Sequence, residues 1–181
     1  MLRKTTLNNG LRVVTKKLSG TKAVTTLVMV GAGSRYENKE IRGISHFLEH
    51  MFFKGAERYK NTKAVSEAID SVGGEFNAFT GKEYAGYYVK VASESVEVAA
   101  DVLSDMLINS KFDQKEIEKE RGVILEEYNM YQDTPMYQIG WDFEHLIFGD
   151  QPLGWDEIGT KELIKSVMHE DFVKHKKNLY T

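Results

Sequence analysis

His46, Glu49 and His50 lie together in the stretch Gly43-Ile-Ser-His-Phe-Leu-Glu-His-Met-Phe-Phe-Lys-Gly55. Read as a helix, the stretch sets the two imidazoles four residues apart, on one face, with Glu49 beside them. Two neutral ring nitrogens one turn apart can bind a single divalent ion, and with a carboxylate nearby the usual ion is zinc. A carboxylate close to that ion but not needed as a ligand can take a proton from an attacking water. Metal-assisted hydrolysis is the chemistry such a set serves. A catalytic site of this kind needs a third protein ligand, which another part of the chain must supply.

The rest of the helix explains how the set is held. At about 100° per residue, Ile44, Phe47, Leu48, Met51 and Phe52 gather on the side away from the imidazoles and form a core face. The third ligand is sought on a second helix, which Asp113-Gln-Lys-Glu116 opens in the manner of a capping box and which runs to about Gln132. With Ile124 as the centre of its apolar stripe, Ile117, Tyr128 and Tyr131 fall within roughly 40°, and Glu120 and Glu127 only about 40° and 60° away. Glu126 points roughly 160° from that centre, towards solvent. Carboxylates on a core-facing stripe are costly unless they are paired or bound to a metal. Salt bridges to Lys or Arg would satisfy them. The first helix, however, lacks a ligand, which assigns Glu127 to the metal and Glu120 to a supporting place that orients a His or holds charge near the ion.

The remaining elements follow from local signals. Asn9-Gly10 between β-prone runs at residues 3–7 and 11–17 predicts a hairpin, and the apolar run at residues 23–30 predicts an interior strand. Gly31-Ala-Gly-Ser34 lacks the spacing and the following Lys of a phosphate loop. Asn61-Thr62 caps a helix through about Val72, and residues 75–80 and 84–91 read as a second, aromatic hairpin. Ser93 or Ser95 is expected to cap a helix to about Ile108, Thr134-Pro135 to open another that ends at Phe148-Gly149, and Thr160 to cap a short one. A last helical segment begins near His169 and runs to the C-terminus; His145, His169 and His175 have no ligand spacing and are placed at the core edge or the surface.

The chain of 181 residues is 41% hydrophobic and 28% charged, the composition of one ordinary globular domain. A net charge of -3 argues against nucleic acid as the main partner. Without cysteine there is neither a disulfide nor a thiolate metal site. No run has the length of a signal peptide or a membrane span, so a cytoplasmic location without membrane association is expected.

These residues resemble the inverzincin peptidases of the pitrilysin and insulinase type, including the β subunit of mitochondrial processing peptidase and its short bacterial relatives. The resemblance rests on Leu7-Asn-Asn-Gly-Leu11, Gly31-Ala-Gly-Ser-Arg35, the H-x-x-E-H stretch, Gly73-Gly-Glu-Phe-Asn-Ala-Phe-Thr80, Glu120-Arg-Gly-Val-Ile-Leu-Glu-Glu127 and Gln151-Pro-Leu-Gly154. It implies a third zinc ligand 77 residues beyond His50, which lands on Glu127, and a supporting catalytic-site glutamate at Glu120. It also implies an α+β fold, a mostly antiparallel sheet with helices packed on one face. Residues 76–80 would form the edge strand on which substrate adds, with Asn77, Ala78 and Phe79 binding substrate near the scissile bond. By the same resemblance the chain is a single catalytic domain, 1–181, lacking the family domain's last strand and helix, and it acts with a second homologous domain or subunit that closes a chamber.

The function expected is that of a zinc endopeptidase cleaving peptides or unfolded polypeptide. One zinc ion per chain is held by His46, His50 and Glu127, and Glu49 is the general base. The alternative is a zinc-bearing peptide-binding or assembly module that needs a partner chain for turnover.

Overall fold

The computed structural model describes residues 1–180; Thr181, the last residue of the predicted C-terminal segment, lies outside them. Strands β1 (Leu2–Thr6) and β2 (Arg12–Lys16) pair antiparallel around Asn9-Gly10 as an exposed two-stranded hairpin. Strand β3 (Ala23–Val30) leads to helix α1 (Ile44–Phe52) and helix α2 (Thr62–Asp70). The second hairpin, β4 (Glu75–Thr80) and β5 (Ala85–Ala92), joins β3 in a three-stranded antiparallel sheet of order β3-β5-β4, with β4 at one edge. Helices α3 (Val96–Ile108), α4 (Gln114–Gln132), α5 (Pro135–Phe148), α6 (Lys161–Ser166) and α7 (His169–Leu179) complete an α+β fold with helices on one face of the sheet.

Helix α1 runs through the centre of the core. Ile44, Phe47, Leu48, Met51 and Phe52, the predicted core face, are all fully buried. Phe52 meets Tyr87 of β5 edge-on at 5.2 Å, and Phe47 meets Phe172 of α7 at 5.0 Å. Ile117 and Ile124 of α4 belong to the same cluster. Burying a side chain of this size contributes roughly 1.5–3 kcal/mol, so the face opposite the imidazoles anchors the helix.

The start of α1 is fastened without a capping side chain of its own. Gly43 precedes it at φ 98, and a Cβ there would lie 2.6 Å from the Cα of Gly159. The left-handed backbone and the close approach both demand glycine. The free N–H groups of the first turn are met from outside. The buried carboxylate of Glu37 accepts from the Gly43 and Ser45 amides at 2.6 and 2.8 Å. Burial lifts its pKa to about 7, against the lowering effect of those bonds. Ser45, also buried, shares a 3.0 Å hydrogen bond with Nε2 of His175 on α7.

His175 is thus a core residue and not a core-edge or surface one, and it is only 4% exposed. Its position on an amphipathic helix concealed this, because its partner lies 130 residues earlier. Burial pushes its pKa down to about 4. Between that value and about 6.5 the unfolded chain takes up a proton that the native protein refuses, so His175 removes stability as pH falls through this window. Glu37 titrates in the opposite sense, which a variant comparison cancels. Replacing His175 with Gln, which does not titrate, is expected to erode the parent's lead in unfolding free energy by roughly 2–3 kcal/mol between about pH 7 and about pH 4.5. Urea denaturation of both proteins at the two pH values measures it, and a constant difference would contradict the assignment.

Two expected caps differ. Ser95 makes no side-chain cap bond, because residues 93–95 form a 3-10 turn leading directly into α3. At α4 the Asp113 side chain accepts from the Lys115 amide, while Glu116 pairs with Lys119, so the reciprocal half of the capping box is not formed. Helix α4 is secured instead by Arg121, buried at 8% exposure, which donates to the carbonyls of Ile164 and Val167 at the end of α6. Helix α5 buries no residue, and Met136, Ile139, Phe143 and Leu146 stand at least 60% exposed along it.

Candidate metal centre

The two helices meet where their polar flanks face each other. His46 and His50 project from α1 with ring centroids 4.9 Å apart, and Glu127 projects towards them from α4. Nε2 of His46 lies 3.6 Å from Oε1 of Glu127, and Nε2 of His50 lies 3.4 Å from Oε2. These separations exceed a made hydrogen bond. They match the edge of a tetrahedron of about 3.4 Å, which zinc bonds of about 2.0–2.1 Å to nitrogen and oxygen require. Among the described residues, His46, His50 and Glu127 are the group of three or more whose ligand atoms could converge on one ion, all within 4.8 Å of one another. Nδ1 of His46 has no hydrogen-bond partner among the described residues. Side-chain exposures of 13%, 21% and 23% leave the cluster open to solvent on one side. The donor set and its spacing fit zinc.

Glu120, about two helical turns before Glu127 and almost fully buried, accepts from His50 Nδ1 at 2.8 Å and from Lys54 Nζ at 2.5 Å. The bond holds Nδ1 as a proton-bearing nitrogen, so Nε2, which faces Glu127, is the atom that would give up its proton to ligate a metal, as is usual for imidazole ligands backed by a carboxylate. Burial opposes the charge on Glu120, but the His50 and Lys54 hydrogen bonds outweigh it and hold the carboxyl below its usual range. Burial likewise opposes a proton on His50, yet Glu120 and Glu127 prevail and raise it to about 9. Glu127 is held well below the carboxylate range, burial again being overcome by the two imidazoles. The cluster is an electrostatic well for positive charge. Glu126 is exposed, as its angle on the helix requires.

Glu49 stands apart from the three converging atoms. Its Oε2 accepts from the Thr80 hydroxyl, at the end of β4, at 2.5 Å. Thr80 shares a sheet face with Ala78 and Phe76, each partly buried towards the helices. Asn77 and Phe79 alternate to the other face; the Asn77 side chain bonds the amide of Ala78, and the ring of Phe79 covers Gly86. Of the three residues expected near substrate, the structure therefore brings Ala78 to the face of Glu49 and sends the side chains of Asn77 and Phe79 away from it.

Three residues of this neighbourhood have no role assigned from the sequence: Lys54 and Thr80, which lie near the ends of stretches that carry the resemblance, and Tyr131. Tyr131 was legible only as part of the α4 apolar stripe; its hydroxyl donates to Glu127 Oε1 at 3.0 Å. Burial first, and then Glu127, push its pKa up to about 12.

A helix pair presenting two imidazoles and a carboxylate against an antiparallel sheet defines a metallopeptidase-like domain, and comparison with known proteins places it. The chain belongs to the insulinase family, peptidase family M16, whose model matches residues 12–146. It is 40% identical over all 181 residues to the uncharacterized zinc protease YmxG of Bacillus subtilis, of which it spans 44%. It is 41% identical over 99% of its length to an Arabidopsis thaliana protein named "Probable mitochondrial-processing peptidase subunit beta, mitochondrial", spanning 34% of that protein. A protease of Helicobacter pylori shares the fold over the whole chain with a TM-score of 0.94 at 25% identity, the match covering 44% of that structure. The chain thus spans less than half the length of these relatives. Among the described residues, no helix is long and apolar enough to cross a membrane.

Proposed function

We propose that this chain is the catalytic domain of a zinc endopeptidase acting on peptides or extended polypeptide segments. The observation that carries the reading is the spacing of His46 and His50 Nε2 from the Glu127 oxygens, 3.6 and 3.4 Å, on a helix whose further carboxylate, Glu49, lies outside the ligand set. His46, His50 and Glu127 would hold one zinc ion. When bound, zinc supplies a Lewis acid that makes water a nucleophile near neutral pH and polarises the scissile carbonyl.

The chain's own groups do the rest. Glu120, braced by Lys54, keeps His50 in the tautomer that presents Nε2. Thr80 occupies Oε2 of Glu49, which leaves Oε1 to take the proton of the attacking water and pass it to the departing amine. Strand β4, the sheet edge that begins its approach to Glu49 at Ala78, offers unpaired backbone groups along which an extended substrate adds as a further strand. The main chain of Asn77 and Phe79 is taken up by Tyr88 and Gly86 of β5, so the edge groups a substrate would meet are those of Ala78 and its like-facing neighbours Phe76 and Thr80. A second homologous domain or subunit closing over the site is consistent with the length of the relatives.

The test combines metal analysis with digestion of a peptide library. About one zinc per chain is expected, with cleavage lost to a chelator and restored by added zinc. Failure to bind zinc would overturn the proposal. Zinc and peptide binding without cleavage, even after adding the remaining homologous length, would instead establish the alternative, a metal-bearing binding module; that reading draws on the chain's 44% coverage of its relative.

A further inference from the structure

Glu127 differs from its two neighbours in how it is held. His50 is oriented by Glu120, and both imidazoles sit on a helix locked into the core. Glu127 has a long side chain with three rotatable bonds at the edge of the buried face of α4, 23% exposed. Nothing in its own torsions would keep both oxygens turned towards the imidazoles, and fixing such a side chain has an entropic cost. One turn further along α4, the Tyr131 hydroxyl donates to Oε1 at 3.0 Å. That is the oxygen facing His46, while Oε2 faces His50.

Tyr131 is itself wedged. The ring of Tyr137 meets it at 4.9 Å and 82°, and the ring of Trp141 meets it at 5.2 Å and 69°, both from α5. Edge-to-face pairs of this geometry contribute about 0.5–1.5 kcal/mol each beyond burial. Gln138 of α5 also donates to the Tyr131 carbonyl at 3.3 Å. A helix that buries no residue of its own is therefore joined to α4 at a tyrosine that touches the metal-facing carboxylate.

We propose that Tyr131 is a positioning residue that sets the Glu127 carboxylate for metal ligation, and that α5 holds Tyr131 in place through Tyr137 and Trp141. The inference rests on the ligand set of the proposed function. A tyrosine satisfying only its own hydroxyl would leave metal affinity untouched, and this separates the two accounts.

Tyr131→Phe removes the hydroxyl and keeps the ring between Tyr137 and Trp141. Zinc affinity by competition with a fluorescent chelator, and the visible absorption of the Co²⁺-loaded chain, are measured for the parent, Tyr131→Phe and Glu127→Ala, with melting temperatures alongside. An outer-shell partner of this kind predicts about a tenfold weaker affinity and an altered Co²⁺ spectrum in Tyr131→Phe, without loss of fold. A loss smaller than about threefold, where outer-shell partners cost 10–100-fold, overturns the positioning role if Glu127→Ala binds much more weakly than the parent. Should Glu127→Ala bind zinc as tightly as the parent, the ligand set itself is wrong and the inference falls with it.

Discussion

Glu49→Gln is expected to leave zinc in place and to lower turnover by about 10²–10⁴-fold, the range a positioned general base contributes. The substitution preserves shape. Its amide can still accept from Thr80, whose hydroxyl bonds Oε2 in the parent, so the junction between α1 and β4 survives. What is lost is the lone pair that receives a proton. Because Glu49 lies outside the three converging ligand atoms, metal content should stay at the parent level. Steady-state cleavage and zinc content, measured on the same preparation, separate the outcomes. Unchanged cleavage removes Glu49 from the mechanism, and loss of zinc would make it a ligand.

Glu127→Ala is expected to weaken zinc binding by more than the roughly 10–100-fold that outer-shell partners cost, since it deletes a donor and not its support. Two imidazoles remain, and His50 keeps its bond to Glu120. The control is Glu126→Ala, one residue away and exposed, which should bind zinc like the parent. Competition with a chelator of known affinity reads both. Equal effects at the two positions would show that the helix face facing His46 and His50 has been misassigned.

Much of this arrangement was visible in the sequence because it is local or periodic. The four-residue step from His46 to His50 places both rings on one side of any helix, and the apolar complement at Phe47, Leu48 and Met51 requires the other side to be core. The same arithmetic separates Glu120 and Glu127 from Glu126 on α4, and their exposures follow that division. The hairpins were equally legible, since Asn9-Gly10 and the aromatic alternation of residues 75–92 fix turn and register within a few residues. Family resemblance supplied the α+β architecture and tied the distant helices together.

What escaped depends on contacts between segments far apart, which leave no periodic trace. Glu37 lies in what reads as a polar connection, yet its carboxylate substitutes for a cap at the start of α1. Arg121, beside Glu120 on α4, reads as one more charge on a charged helix, and its burial against the carbonyls of Ile164 and Val167 depends on where α6 comes to rest. Thr80 reaches Glu49 across 31 residues, and Tyr131 is wedged by aromatic residues of the following helix. Pattern distinguishes inside from outside; it does not say which inside residues touch.

The meeting of α1 and α4 has one further consequence. Their facing side chains come from stretches separated by 77 positions between His50 and Glu127. A cation gripped by both would act on the chain as a removable crosslink, closing a long loop and subtracting conformations mainly from the disordered state. Catalytic competence and resistance to unravelling would then be switched on by the same atom, and a cell short of that metal would hold a protein both idle and more easily undone.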